Sequence, residues 1–346
     1  MYAKRAFAVV TAVLLSLTGC VGGSARTDES VAFLAANVRL AYVQEMTMGF
    51  GSGVERIGGV AHTESGPAVG DTTHQLTMFQ DVRARNRHGV SVFTLSPELL
   101  AGSLAAAQRD GTPVIAVHSP PATGSGVTLY VGNDNYELGE MLADQVAAQL
   151  PPWVNGVAVL GASVPGAAAL DQRAAGLRAQ LATKRPGLQL LGPFDTKEDP
   201  AANWESWQVL VRANPGALAF LSVGDDDAGT LAAVRERTGG TWLAGGFGLD
   251  MRSLRAVRAG DLLLVSPEPF VQGAVAGQLQ AAHAKSGRAL PQGWIVVPGL
   301  AITAANVTQI MMRQVSEATR DASSQALVQD IVINLAGYLR PLATAR

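Results

Sequence analysis

Short apolar runs alternate along the chain with segments in which apolar residues recur every three or four positions. The clearest example is GVSVFTL at 89–95, then a segment with Leu100, Leu104 and Ala107 on one helical face, and then TPVIAVHS at 112–119. Continuous apolar runs that flank a helical pattern are typical of parallel strands covered by helices. The pattern therefore predicts repeated βαβ units.

The same alternation extends over most of the chain. Further strands are predicted over 31–37, 57–62, 128–132, 156–162, 188–194, 217–223, 241–247, 261–267 and 293–299. Further helices are predicted from about residue 40, over 75–87, over a segment with Leu170, Ala174, Leu177 and Leu181 on one face, and over about 270–285. Residues 308–346 form an amphipathic extension whose packing the pattern does not assign.

A joint between two lobes is predicted at GNDNYELGEMLADQVAAQL, residues 132–150. Asp134 or Asn135 can cap a helix there, and Leu138 and Leu142 begin an apolar stripe with four-residue spacing. Single hydrophobic cores stop growing at roughly 250–300 residues, and this chain has 346. Two lobes are therefore expected.

Charge and composition narrow the classes of partner. The 26 basic and 28 acidic side chains give a net charge of −2, which offers no electrostatic reason to expect nucleic acid. The apolar run over 6–17 is too short to cross a membrane comfortably, since spanning takes about 20 apolar residues, and no other apolar stretch of the sequence is long and unbroken enough. A composition rich in Ala, Gly, Val and Leu suits an α/β core.

The amino terminus has the pattern of an export signal. Lys4 and Arg5 precede an apolar run over 6–17, and Cys20, the single cysteine of the chain, follows Leu-Thr-Gly. This ending resembles the lipobox of bacterial lipoproteins, which implies a signal peptide over 1–19 and lipidation of Cys20. A retained membrane anchor and a stray cysteine in an ordinary signal peptide are the alternatives.

Six segments in the rest of the chain carry a family resemblance. They are GTPVIAVHS, YVGNDNYELGEMLA, DQRAAGLRAQL, VGDDDAGTLAAV, GGFGLDMRSLRAVRAGDL and VSPEPFVQGAVAG. In order and spacing, across about residues 31–307, they resemble the ribose-type family of periplasmic sugar-binding proteins, the solute-binding subunits of ABC transporters. The resemblance implies an α/β fold of two Rossmann-like lobes, the periplasmic binding protein type I fold, joined by three hinge crossovers and closing on a solute.

The resemblance also implies a division of the chain. The expected parts are the signal peptide 1–19, a Gly- and Ser-rich tether 20–30, an N-terminal lobe of 31–133 plus about 268–298, a C-terminal lobe of 134–267 plus about 299–310, and a C-terminal extension 311–346. The DNA-binding helices of lactose-type repressors, which share the fold, are absent from this sequence.

The binding residues are expected where strands end, because doubly wound sheets bind ligands beyond the carboxyl ends of their strands. Strand ends place Asn37, His62, His118, Ser119, Asp225 and Gly248 near one cleft. The expected solute-binding residues are Asn37, Tyr42, His118, Ser119, Asp171, Trp204, Asp225, Gly248 and Glu268.

Several of these positions depart from the family pattern. His118 and Ser119 stand where ribose binders usually have Asp-Arg, and Asp171 stands where they have a ligand-facing arginine. Gly248 replaces an aspartate, and Pro267 falls near an expected glutamine. Ribose binders hold hydroxyls with charged and planar groups. The expected solute is therefore a sugar or polyol other than ribose.

Some of these residues have a second reading. His118 could bind solute or support a residue that does, and Tyr42 could stack on a ligand or belong to the core. Of two tryptophans three residues apart, Trp204 is the candidate for the cleft and Trp207 the candidate for the core.

Other chemistries find little support in the sequence. The run 225–227 of three aspartates is explained by capping of a helix, with Asp225 nearest to solute, and lacks the wider spacing of a calcium loop. Gly49, Gly51 and Gly53 fall a dozen residues after the first strand, too late for a dinucleotide fingerprint. Neither a Gly-x-Ser-x-Gly elbow nor a zinc-protease helix occurs. We expect no enzyme activity, no metal and no cofactor.

The predicted function is that of a monomeric, lipid-anchored, extracytoplasmic solute-binding protein. It would capture a small polar solute and deliver it to an ABC permease, without nucleic-acid partners. A sensor that presents its closed form to a receptor or histidine kinase, and a degenerate relative with an enzymatic or structural role, are the alternatives.

Overall fold

The fold is described here by a computed structural model, covering residues 29–225 and 227–346. The predicted signal peptide and Cys20 lie outside the described residues. The strands are β1 (Ser30–Leu34), β2 (Ala61–Ser65), β3 (Val90–Val92), β4 (Val114–Val117), β5 (Leu129–Gly132), β6 (Gly156–Ala162), β7 (Leu188–Asp195), β8 (Ala219–Ser222), β9 (Leu243–Phe247), β10 (Leu263–Ser266), β11 (Gly293–Val296), β12 (Leu300–Ile302) and β13 (Leu339–Arg340).

Helices follow almost every strand. They are α1 (Ala41–Ile57), α2 (Thr72–Arg85), α3 (Pro97–Arg109), α4 (Asn135–Gln149), α5 (Ala168–Lys184), α6 (Pro200–Ala213), α7 (Asp227–Thr238), α8 (Met251–Ala259), α9 (Pro269–Ser286), α10 (Val307–Arg313), α11 (Glu317–Ile333) and α12 (Leu335–Tyr338). Among the described residues, none of the helices has both the length and the apolar character that a membrane span requires.

The strands form two separate sheets, one at the centre of each lobe. The first sheet has the order β13-β11-β5-β4-β3-β1-β2, and the second has the order β12-β10-β9-β8-β6-β7. All pairs are parallel except β13 on β11 and β12 on β10, which are edge pairs. The predicted α/β fold with two Rossmann-like lobes is confirmed.

The chain passes between the sheets after β5, after β10 and after β11. These passages are called the first, second and third crossovers, and their centres are residues 133–134, 267–268 and 297–299. Asn133 joins all three, because its amide nitrogen donates to the carbonyl oxygens of Pro267 at 2.9 Å and Val297 at 2.8 Å. The connections thus lie side by side between the lobes.

In the first lobe, helices α1 and α9 pack with their backbones in contact. Gly49 and Gly53 of α1 face the backbone of α9, and Gly273 and Gly277 of α9 face the backbone of α1. A Cβ atom at Gly273 would lie 1.9 Å from the carbonyl oxygen of Met46. The glycines of α1 therefore serve helix packing.

The C-terminal extension returns to the first lobe. After α10, helix α11 packs on α9 and α1, and β13 adds an antiparallel edge strand to β11. The guanidinium groups of Arg340 and Arg346 then donate to the carboxylate of Asp134 at 2.9 and 3.1 Å, and the backbone N–H of Asn135 donates to the carbonyl oxygen of Arg346. Residues 314–346 thus make a fourth passage between the lobes, beside the first crossover.

The predicted position of one strand is wrong. A strand was expected over 57–62, but α1 continues to Ile57 and β2 occupies Ala61–Ser65. The reason lies in Gly58 and Gly59, whose φ angles of 66° and 76° end the helix in a conformation that favours glycine. The strand can begin only after them.

Candidate functional site

A cavity of about 800 Å³ lies between the two lobes, where the strands of both sheets end. Five of the residues expected from the sequence line it, namely Asn37, Tyr42, His118, Ser119 and Asp225. The first four belong to the first lobe and Asp225 to the second. A volume of this size is typical of pockets for small molecules.

His118 stands at the base of the cleft. It directly follows β4 and has a φ of 67°, and its carbonyl oxygen accepts a hydrogen bond from the Tyr130 hydroxyl at 2.9 Å. The imidazole packs against the rings of Tyr42 and Phe93, with centroids 5.4 and 5.1 Å apart. Its Nε2 atom lies 3.7 Å from Oδ2 of Asp225, so this contact joins the two lobes.

Asp225 is held by a buried arginine behind it. Nη1 of Arg173 donates to Oδ1 of Asp225 at 2.9 Å and to the carbonyl oxygen of Val223 at 3.0 Å. Nε of Arg173 donates to Asn135 at 3.0 Å, and the guanidinium lies 4.6 Å above the ring of Phe247. Burial works to raise the pKa of Asp225, but the charge and the hydrogen bond of the buried Arg173 guanidinium oppose it, and the pKa lies below its usual value. The carboxylate is therefore ionised.

A second contact joins the lobes at the edge of the cleft. Asn37 follows β1, and its side chain lies near the carboxyl group of Glu198, which follows β7. Burial raises the pKa of Glu198 above its usual value, and the side chain of Asn37 opposes this shift. The cleft is thus bounded by polar contacts between lobes at its base and at its edge.

Asp227 forms a third polar group of the cleft wall, within the second lobe. Its carboxylate accepts hydrogen bonds from Thr196 at 3.2 Å, from Ser222 and from the amide nitrogen of Asn203. Burial raises the pKa of Asp227, against the effect of these bonds. Its partners are uncharged side chains from different segments of the second lobe. Asp227 therefore holds these segments together in the wall of the cleft.

The other expected residues lie elsewhere. Asp171 is exposed on α5, and Trp204 packs at the core of the second lobe with the Arg237 guanidinium 5.7 Å from its ring centroid. Gly248 lies behind Asp225 in a small separate pocket, and Glu268 is buried at the second crossover. The structure does not bring these four into the cleft, and their roles as binding residues stay predictions.

His62 also lies away from the cleft, beside the ring of Phe50, because β2 ends at Ser65 rather than at position 62. Trp207 is fully buried, which confirms its expected place in the core. Among the described residues, no group of three or more His, Cys, Asp or Glu side chains is arranged to hold a metal ion.

Sequence reasoning missed Arg173, although a signal was present. Leu170 and Leu177 define the buried face of α5, and Arg173 lies three residues after the first and four before the second. That spacing puts Arg173 on the buried face and leaves Asp171 to solvent. The family pattern alone assigns the ligand-facing position to Asp171.

Glu268 belongs to a cluster of charged residues at the second crossover. It forms two hydrogen bonds with the Arg313 guanidinium, at 2.8 and 2.9 Å. Glu45 of α1 lies in the same cluster, 3.8 Å from Nε of Arg320 and near Gln314. Burial is the largest influence on Glu45 and raises its pKa to about 7, although Arg320 and Arg313 oppose the shift and Glu268 adds to it.

This pKa predicts that stability depends on pH. Between the ordinary value of 4.5 and about 7, the folded protein holds a proton that the unfolded chain has released, so the free energy of unfolding falls as pH rises through this window. We expect the contribution of Glu45 to the free energy of unfolding to fall by about 2 kcal/mol between pH 5 and pH 7. Urea unfolding of the wild type and of Glu45→Gln at both pH values measures the difference, and parallel pH profiles would contradict it.

The chain matches a model of the periplasmic binding protein domain over residues 31–289. No curated protein sequence matches it. Its fold is similar to that of an ABC transporter solute-binding protein from Burkholderia graminis in complex with D-arabinose, with 20% identity, a TM-score of 0.74, and coverage of 82% of this chain and 97% of that one.

Two further structures are similar at comparable levels. A periplasmic solute-binding protein from Actinobacillus succinogenes with bound D-allose has 16% identity and a TM-score of 0.74, over 81% of this chain and 99% of that one. A periplasmic ribose ABC transporter protein from Conexibacter woesei has 21% identity and a TM-score of 0.71, over 84% and 96%. Identities this low establish the fold alone. The family match over most of the chain, the two-lobed fold and the cleft between the lobes agree, and the chain belongs to the periplasmic binding protein family, whose members are extracytoplasmic solute-binding proteins and not enzymes.

Proposed function

We propose that this protein binds a sugar or polyol in the cleft and delivers it to an ABC permease. The observation that carries the proposal is the cleft itself, a cavity of about 800 Å³ at whose base His118 of the first lobe lies 3.7 Å from Asp225 of the second. A solute that contacts both lobes binds the closed state better than the open one, and this difference in affinity drives closure.

The charges of the cleft support an uncharged or cationic solute. Its lining carboxylates are Glu98, Glu198, Asp199, Asp225 and Asp227, whereas its lining basic side chains are Arg39 and Lys197. Asp225 and Arg173 form an ion pair, so these two residues together add no net charge at the base of the cleft. Anionic solutes are therefore disfavoured. Aromatic and aliphatic side chains, among them Tyr42, Phe93 and Leu95, supply an apolar wall for the carbon face of a sugar.

Ribose is not the proposed solute. His118 and Ser119 occupy the positions where ribose binders usually have Asp-Arg, and both line the cleft. A site built to pair hydroxyl groups discriminates strongly, because a missing partner leaves a buried polar group without a hydrogen bond. We propose that the residues of this cleft select a different pattern of hydroxyl groups.

Titration calorimetry on solute-free protein, with D-arabinose, D-allose, D-tagatose, D-ribose and polyols, tests the function. We expect submicromolar affinity for one of them other than ribose, together with a smaller radius of gyration by X-ray scattering when that solute is bound. An unchanged radius at saturation would contradict closure, and submicromolar binding of ribose would contradict the exclusion.

A variant of His118 links binding to the cleft. His118→Asn should weaken binding about tenfold, which corresponds to one lost hydrogen bond, while asparagine tolerates the positive φ at this position. His88→Asn, in the first lobe outside the cleft lining, is the matched control and should bind as the wild type does. Equal affinity of the two variants would place the site elsewhere.

We also propose that the protein is anchored to the membrane through lipidated Cys20, with 20–30 as a tether. Two acyl chains anchor stably where one is marginal, and the lipobox-like segment supplies the acylation site. Radiolabelled palmitate should label the wild type, and Cys20→Ser should abolish both the label and cleavage before residue 20. An unlabelled wild type would refute the anchor.

A further inference from the structure

Hydrogen bonds to backbone carbonyls fix the orientation of two amide side chains at the hinge. The amide nitrogen of Asn133 donates to the carbonyl oxygens of Pro267 and Val297, which act only as acceptors. The oxygen of Asn133 therefore points the other way, toward Gln272. Nε2 of Gln272 donates to this oxygen at 2.7 Å and to the Pro267 carbonyl oxygen at 2.8 Å.

The orientation of Gln272 in turn fixes the tautomer of His118. Because both donors of the Gln272 amide are used at the hinge, its Oε1 atom faces Nδ1 of His118 at 3.1 Å. An amide oxygen only accepts, so Nδ1 of His118 must carry a hydrogen. In the neutral ring, Nε2 then presents a lone pair to the cleft. Gln272 is fully buried on α9, which keeps this arrangement free of competing water.

Two acceptor atoms from different lobes consequently face each other at the base of the cleft. Nε2 of His118 lies 3.7 Å from Oδ2 of Asp225, a separation too long for a hydrogen bond between them. The other oxygen of Asp225 already accepts from Arg173, and Arg173 donates to Asn135, two residues after Asn133. These bonds run from the first crossover through both lobes and are interrupted only between His118 and Asp225.

We propose that Gln272 is a positioning residue that holds His118 in the Nδ1-protonated form, and that His118 Nε2 and Asp225 Oδ2 together bind an ammonium group or two neighbouring hydroxyl groups of the solute. The second part rests on the proposed function of the cleft. A donor group placed between the two atoms completes the series of hydrogen bonds through the hinge. The site therefore selects solutes that carry a hydrogen-bond donor between His118 and Asp225. Because these residues belong to different lobes, binding of such a solute favours the closed state.

Nuclear magnetic resonance of histidine ring nitrogens at pH 8 tests the tautomer without any solute. We expect His118 to carry its hydrogen on Nδ1 in the wild type and on Nε2 in Gln272→Leu, which lacks the acceptor. Gln280→Leu is the matched control, because Gln280 is equally buried on α9 but contacts Ser91 and His88, and it should leave His118 unchanged. A hydrogen on Nε2 in the wild type, a ring protonated on both nitrogens, or an unchanged tautomer in Gln272→Leu would overturn the assignment. If Gln272→Leu fails to fold, the wild-type spectrum decides.

The donor site is tested by adding D-arabinose, as a source of hydroxyl groups, or D-glucosamine, as a source of an ammonium group. Whichever binds by calorimetry should shift the Nε2 resonance of His118, and acetate should not. Binding without a shift of Nε2 overturns the donor site and leaves the proposed function intact. Failure of both sugars to bind contradicts the donor site, whereas the sugar proposal is judged by the wider calorimetric series and the tautomer by the spectra alone.

Discussion

Arg173→Met is expected to lower the free energy of unfolding by about 3–5 kcal/mol, because it leaves the carboxylate of Asp225 buried without its cationic partner. Arg173 is inaccessible to solvent and contacts Asp225, Val223 and Asn135. Methionine fills much of the same volume, so the loss reports mainly the unpaired charge rather than a cavity. Urea unfolding followed by tryptophan fluorescence measures it.

Two further variants separate the charge from other effects. Adding Asp225→Asn to Arg173→Met removes the unpaired charge and should recover a large part of the lost stability. Arg83→Met is the control, because Arg83 pairs with the exposed Asp110 at 3.1 Å, and exposed pairs contribute less than about 1 kcal/mol. Equal decreases in the free energy of unfolding for Arg173→Met and Arg83→Met would show that the buried pair contributes no more to stability than the exposed pair.

Gly273→Ala is expected to destabilise the first lobe by about 3 kcal/mol, at the upper end of overpacking effects. The added methyl group would meet the carbonyl oxygen of Met46 at 1.9 Å, and neither backbone can move away without separating α1 from α9. Helix propensity favours alanine, so any loss measures the clash.

Gly102→Ala provides the matched control for this prediction. Gly102 lies in α3, and a Cβ atom there would have no other atom within 4 Å. The same substitution should stabilise the protein by up to about 1 kcal/mol, because alanine is the better helix former. The two variants are compared by urea unfolding, and a Gly273→Ala variant as stable as the wild type would refute the close approach of the two helices.

The sequence predicted the elements that are buried on all sides, because their own residues then form a recognisable apolar pattern. The strand over 156–162 was predicted at the bounds of β6, because a parallel strand covered on both faces is a continuous apolar run. It did not predict the packing of residues 308–346, whose partners are α8, α9, β11 and the first crossover. Periodicity shows that a face is apolar but does not show what covers it.

The candidate site was predictable to a similar extent. Residues at strand ends, such as Asn37 and His118, line the cleft because the fold itself places strand ends there. Gln272 could not be identified, because its position within a buried helix looks like any other until the hinge is folded around it. Its contacts depend on three crossovers that come together only in three dimensions.

The return of the chain to the first crossover bears on how the protein can be engineered. Arg346 is held at the hinge, where its side chain contacts Asp134 and lies 4.6 Å from the ring centroid of Tyr136. An affinity tag or fluorescent protein joined directly to residue 346 would begin beside the first crossover and would disturb the proposed closure that it is meant to report. A reporter is better inserted at an exposed surface position of either lobe, such as the loop at Trp153.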